Sequence, residues 1–152
     1  MPRETFIPFL VQLKRGFAIV ENMKFFVTGR SSNIDAIKSC MAEICEAGHE
    51  VVLDWTVLPM VKPYHDNPEQ AGQYATDQIA AIAESDVYIL LAHHDGTGVF
   101  AELGSALTLA QLHGKPLIYA VAREIPEAMF HYHPAINWCK SVDEVFTAVG
   151  AA

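Results

Sequence analysis

The densest grouping of residues able to do chemistry in this 152-residue chain is Asp95-Gly-Thr-Gly-Val-Phe-Ala-Glu102-Leu-Gly104. Gly96 and Gly98 allow the backbone to approach a ligand closely, and Thr97 is placed to cap a following helix. Glu102 then falls in or just after the first turn of that helix, where the dipole favours an ionised carboxylate by about 0.3–1 kcal/mol. A deprotonated carboxylate beside Ala101, Gly104, Ser105 and Ala106 suits attack on an electrophilic sugar carbon. The plainer alternative is an acidic residue that only stabilises a helix start. Carboxylates gathered at one edge can divide nucleophilic and acid–base tasks where their environments split their pKa values.

Other candidate residues stand at the ends of β-prone runs. Gly29-Arg30-Ser31-Ser32-Asn33 follows Lys24–Thr28 and opens a helical segment. It offers backbone N–H groups, two hydroxyls and a guanidinium to an anion or to sugar hydroxyls; the competing role is helix capping by Ser32 or Asn33. The loop lacks the Gly-Lys-Ser/Thr ending of a phosphate loop and the GxGxxG pattern of a dinucleotide site, so no cofactor is expected. Trp55 ends a strand where it can stack on a base or pack into the core. His93 and His94 adjoin Asp95, and His131 and His133 lie in an aromatic loop, Phe130–Pro134. Neither pair has zinc-ligand spacing, so no metal is expected and His93 is read as lining the pocket. Cys40, Cys45 and Cys139 show no CxxC spacing, which points to free thiols, with Cys40 and Cys45 buried in a helix, and to a reducing cytoplasmic setting.

The elements that must position these residues alternate. Lys24–Thr28, Glu50–Leu53, Asp86–Ala92, Leu117–Val121 and Ile136–Cys139 read as strands. Between them fall a helix with Ile34, Ile37, Met41, Ile44 and Cys45 at helical spacing and Gly48 at its end, a helix over 69–84 and a helix running to about His113. Ser141-Val-Asp-Glu144 reads as the capping box of a last helix. Asp86–Ala92 is apolar almost throughout, as a parallel strand covered on both faces should be. Alternation at this spacing predicts an α/β fold, a three-layer Rossmann- or flavodoxin-like domain with a parallel sheet of about five strands. Ligands in such sheets bind beyond the carboxyl ends of the strands. That edge gathers Gly29–Asn33, Asp54-Trp55, His93–Glu102 and Arg123-Glu124.

Three segments together resemble the nucleoside 2-deoxyribosyltransferase superfamily, with its related nucleoside 5′-monophosphate N-glycosidases. They are Ser85-Asp86-Val-Tyr-Ile-Leu-Leu, Asp95-Gly-Thr-Gly-Val-Phe-Ala-Glu102-Leu-Gly104-Ser-Ala106, and Gly114-Lys115-Pro116. The likeness is best over residues 77–121 and extends from Met23 to Val149. It implies that Glu102 attacks the sugar C1′ and forms a covalent glycosyl-enzyme intermediate, and that Asp77 assists at the base. It also implies a role for Asp95, although the Asp95–Glu102 spacing is one residue longer than the family pattern. The Gly29–Ser32 loop is implied to lie by the sugar and the 5′-phosphate, and the chain to form a homo-oligomer. Whether the sugar passes to another base or to water is left open. A different class of function on the same scaffold is a non-catalytic nucleotide-binding or sensing domain.

Composition bounds the rest. With 51% hydrophobic and 18% charged residues the chain reads as one globular domain. A formal net charge of −8 argues against a nucleic-acid partner, and no apolar run reaches the roughly 20 residues that span a bilayer. The expected partner is a small nucleoside or nucleotide. Residues 1–22 are read as an N-terminal extension to a domain over 23–152. That extension is either a short helix packing on the domain or a neighbouring subunit, or an upstream start before Met23.

Overall fold

The computed structural model describes residues 22–93 and 97–151. Five strands, β1 (Lys24–Gly29), β2 (Glu50–Val51), β3 (Val87–Leu91), β4 (Leu117–Val121) and β5 (Ile136–Cys139), form one sheet in the order β2-β1-β3-β4-β5. Every neighbouring pair is parallel. Among the described residues four α-helices accompany it: α1 (Ile34–Glu46), α2 (Pro68–Glu84), α3 (Thr97–His113) and α4 (Val142–Val149). The predicted α/β architecture with a five-stranded parallel sheet is the one observed.

Alternation along the central strands sorts side chains into two cores. Phe25 and Val27 of β1 join Val87, Ile89 and Leu91 of β3 against Ile37, Met41 and Ile44 of α1 and Val145 and Phe146 of α4. Phe26, Tyr88, Leu90, Ile118 and Ala120 face the other way, against Ala81 and Ile82 of α2 and Leu103, Ala106 and Leu107 of α3. The layers are therefore α1 and α4, the sheet, then α2 and α3. All five residues of β3 are buried, which is why its sequence shows no polar alternation.

Local signals hold in detail, with two corrections. Ser141 Oγ accepts from Glu144 N–H at 3.3 Å, the first half of the expected capping box, while Glu144 Oε2 reaches past Ser141 and accepts from Lys140 N–H at 2.7 Å. Gly48, at φ +86°, lies just past α1 in a conformation that favours glycine. The second strand is shorter than the apolar run suggested, ending at Val51 rather than Leu53. Val52 N–H still bonds Phe25 O at 2.9 Å, but the chain then turns where Asp54 accepts from Thr56 N–H. Cys40 is buried and its thiol is pushed up to about 12 by desolvation, chiefly, and by Glu43. Cys45, expected to be buried as well, instead faces solvent. Among the described residues no helix is long and apolar enough to cross a membrane.

Connections leave β1 toward β2 on one side and, through α2, reach β3 on the other. The carboxyl ends of β1 and β3 thus flank the point where the winding reverses, the usual site of a crevice in such sheets. Gly29 closes β1 opposite Leu91. A Cβ there would stand 3.0 Å from Leu91 O and 3.1 Å from Ile37 Cδ1. A valine at 29 is therefore expected to lower stability by about 1–3 kcal/mol through overpacking against backbone that cannot retreat. An unchanged urea midpoint for Gly29→Val would show that the strands part at little cost.

Candidate active site

Thr28 shares the parity of Phe26 and so points from β1 into the α2/α3 layer. It is 1% exposed, a polar side chain at the end of an otherwise apolar strand. Glu102 comes toward it from α3. Thr28 Oγ1 donates to Glu102 Oε2 at 2.5 Å, joining the first strand to the helix that follows the third. The carboxylate is thereby fixed at the β1/β3 reversal.

Its electrostatics differ from the sequence expectation. Because α3 begins at Thr97, Glu102 stands in the second turn, where the dipole has largely faded. Burial dominates instead: desolvation pushes the Glu102 carboxyl up to about 7, partly offset by the Thr28 hydrogen bond, which favours the ionised form. A carboxylate poised at that value is half ionised near neutrality and more basic than an exposed glutamate. Just beneath, on the same face of the sheet, lies Tyr88 of β3. Its ring is fully buried and stacks on Phe26 at 5.9 Å between centroids.

The other candidates are distributed around this edge. Gly29 ends β1, Arg30 follows it, and Ser31–Asn33 form an exposed 3-10 turn leading into α1. Asn33 is the residue preceding α1, yet neither it nor Ser32 supplies a side-chain cap, so the proposed capping role is not the one they play. Thr97 is the first residue of α3 and Gly98 lies in its first turn. His93 is exposed just after β3. His94, Asp95 and Gly96 lie outside the described residues, so the position of Asp95 relative to Glu102 is not described.

Asp77 and Trp55 are placed less simply. Asp77 is exposed on α2 and accepts from Gln73 Nε2 at 2.8 Å within its own helix. No hydrogen bond among the described residues links it to Glu102. Trp55 is partly buried after β2, and its indole N–H donates to Val27 O at 2.9 Å, one residue before Thr28. The ring packs against both cores, so it buttresses the end of β1. His131 and His133 have local structural bonds: His131 Nδ1 donates to Pro126 O at 2.9 Å, and His133 Nδ1 accepts from Ala135 N–H at 3.1 Å. His131 also stacks on Phe100 of α3. Among the described residues no three His, Cys, Asp or Glu side chains cluster as a metal site.

Thr28 is the residue of this candidate site that sequence reasoning passed over. The available signal was a hydroxyl in the last positions of a buried strand, directly before the Gly29 loop, where an apolar residue would otherwise stand. Neither a family model nor any curated protein matches the chain. The functional reading therefore rests on the geometry of this edge and on the motif resemblance.

Proposed function

We propose that this protein cleaves the N-glycosidic bond of a (deoxy)nucleoside or its 5′-monophosphate, with Glu102 as nucleophile. The observation that carries the reading is the Thr28-anchored, partly buried Glu102 carboxylate at the β1/β3 reversal. Such a group is held in one orientation and is basic enough to attack, and it sits where small ligands bind in this architecture.

In the first step a Glu102 oxygen forms a bond to C1′ as the C1′–N bond breaks. The electron pair leaves on the base nitrogen, which takes up a proton; resemblance nominates Asp77, with Asp95, for that assistance. In the second step water or the nitrogen of another base attacks C1′, freeing the Glu102 carboxylate and releasing one proton. No cofactor enters either step. The half-buried Arg30 and the exposed Ser31 and Ser32 carry donor groups of the kind that suit a 5′-phosphate. By the same resemblance the working form is a homo-oligomer acting in nucleotide salvage, while the lack of CxxC spacing among its three cysteines supports a reducing, cytoplasmic setting.

The test is chromatographic. The protein is incubated with deoxynucleosides and their 5′-monophosphates, with and without a second free base, beside Glu102→Ala. Base released by the wild type and not by the variant supports the reading. A new nucleoside formed with acceptor base makes the enzyme a transferase, and its absence a hydrolase. Binding without turnover across the panel would favour a sensing domain instead.

A further inference from the structure

Tyr88 carries a hydroxyl that is completely enclosed and has no hydrogen-bond partner among the described residues. Leaving a buried hydroxyl unsatisfied costs about 1–3 kcal/mol, so such a group calls for an explanation. Its neighbourhood supplies one. Tyr88 pairs in register with Phe26 and, like it, faces the α2/α3 layer, with Leu103 and Ala106 of α3 in the same core. Thr28 lies two residues along β1 on the same face and already holds Glu102. The phenol is held well above its usual value by desolvation first and by the Glu102 charge second, so it remains a protonated donor throughout the range in which Glu102 ionises.

We propose that the Tyr88 hydroxyl is the second hydrogen-bond donor to the Glu102 carboxylate, holding it from the sheet side while Thr28 holds it from β1. The donor is engaged as Glu102 ionises, because a hydrogen bond to a charged acceptor is roughly twice as strong as a neutral one. Tyr88 is thus a positioning residue: it fixes the direction of the attacking oxygen and lowers the carboxyl pKa from the value burial alone would set. Other titratable groups on the surrounding elements are Arg30 after β1, Asp77 on α2 and His93 after β3; in the present arrangement the causes that set the Glu102 pKa are burial and the Thr28 hydrogen bond, the Tyr88 hydroxyl being not yet engaged. The inference concerns the same carboxylate as the proposed reaction, but its test needs no turnover, so each can fail without the other.

The experiment is a carbon-13 NMR titration of the glutamate side-chain carboxyls, with the Glu102 signal assigned by its loss in Glu102→Gln. In Tyr88→Phe, which removes one oxygen and keeps the ring, the Glu102 midpoint is expected to rise by about 0.5–1 pH unit. A midpoint that stays put or falls would overturn the proposal, since packing by the ring is unchanged. Should Tyr88→Phe fail to fold, the wild type supplies a second readout in the Tyr88 Cζ resonance. That signal is expected to titrate with the Glu102 midpoint and to lie flat in Glu102→Gln; a flat wild-type signal would reject the hydrogen bond.

Discussion

Glutamine at position 102 will slow base release by at least ~10³-fold while leaving the fold intact. The replacement keeps the volume of the side chain and an oxygen that can accept from Thr28 Oγ1, so the β1–α3 link survives. What is lost is the negative charge and the lone pair that bonds to C1′. The wild-type profile of kcat/KM should show an acid limb near the Glu102 value of about 7. The sign follows from the role: a nucleophile acts when ionised, so the rate rises with pH through that value and levels above it. At pH 6 about a tenth of the protein carries the charge, and kcat/KM falls roughly tenfold per pH unit below that. Turnover of Glu102→Gln within ~10-fold of wild type, or a rate that climbs on acidification, would remove Glu102 from the nucleophile's role.

The layered fold was legible because the relevant signals are local and repeat. Val87–Leu91 declared itself by continuous apolarity, Ile34–Glu46 by helical spacing, and Ser141–Glu144 by a cap in which Ser141 Oγ accepts from Glu144 N–H as expected. Errors fell where tertiary context overrides local preference. Val52 and Leu53 are as β-prone as Val51, but the chain must turn at Asp54 to begin its return across the sheet, so the strand ends early. Cys45 fits the helical spacing of Ile37, Met41 and Ile44, yet lies on the rim of that stripe and faces solvent.

The candidate site was legible in part. Glu102 could be singled out from its motif, but its environment could not. A carboxylate near a helix start reads as dipole-stabilised; only the packing of α3 on the sheet reveals that desolvation wins and raises the pKa. Thr28 and Tyr88 escaped because each sits inside an apolar strand, where a lone hydroxyl looks like ordinary core. Their meaning depends on pairing between β1 and β3, residues separated by α1, β2 and α2 in the chain. Asp77 shows the converse: motif likeness places it near the base, whereas its hydrogen bond is to Gln73 on its own helix. The order of the strands thus carries information that spacing along the chain does not.

The same burial of Glu102 has a consequence for stability, and it opposes the requirements of catalysis. A glutamate in the unfolded chain ionises near 4.5, whereas in the folded protein it ionises near 7. Between those values the native state binds more protons than the unfolded state, so stability falls as pH rises. The contribution of the neutral carboxyl is fully present below 4.5 and is lost as pH rises through 7. Glutamine carries no charge at any of these pH values and escapes the penalty. Glu102→Gln should therefore gain on the wild type between pH 5 and pH 8 by about 2 kcal/mol, since one pKa unit corresponds to about 1.4 kcal/mol. Urea denaturation of both proteins at the two pH values measures this directly. A difference between them that does not change with pH would mean that Glu102 ionises at its unfolded value, and the poised nucleophile would go with it. A variant that is inactive yet more stable above pH 7 is the outcome expected when a charge is kept in a partly dry site because the reaction needs it there.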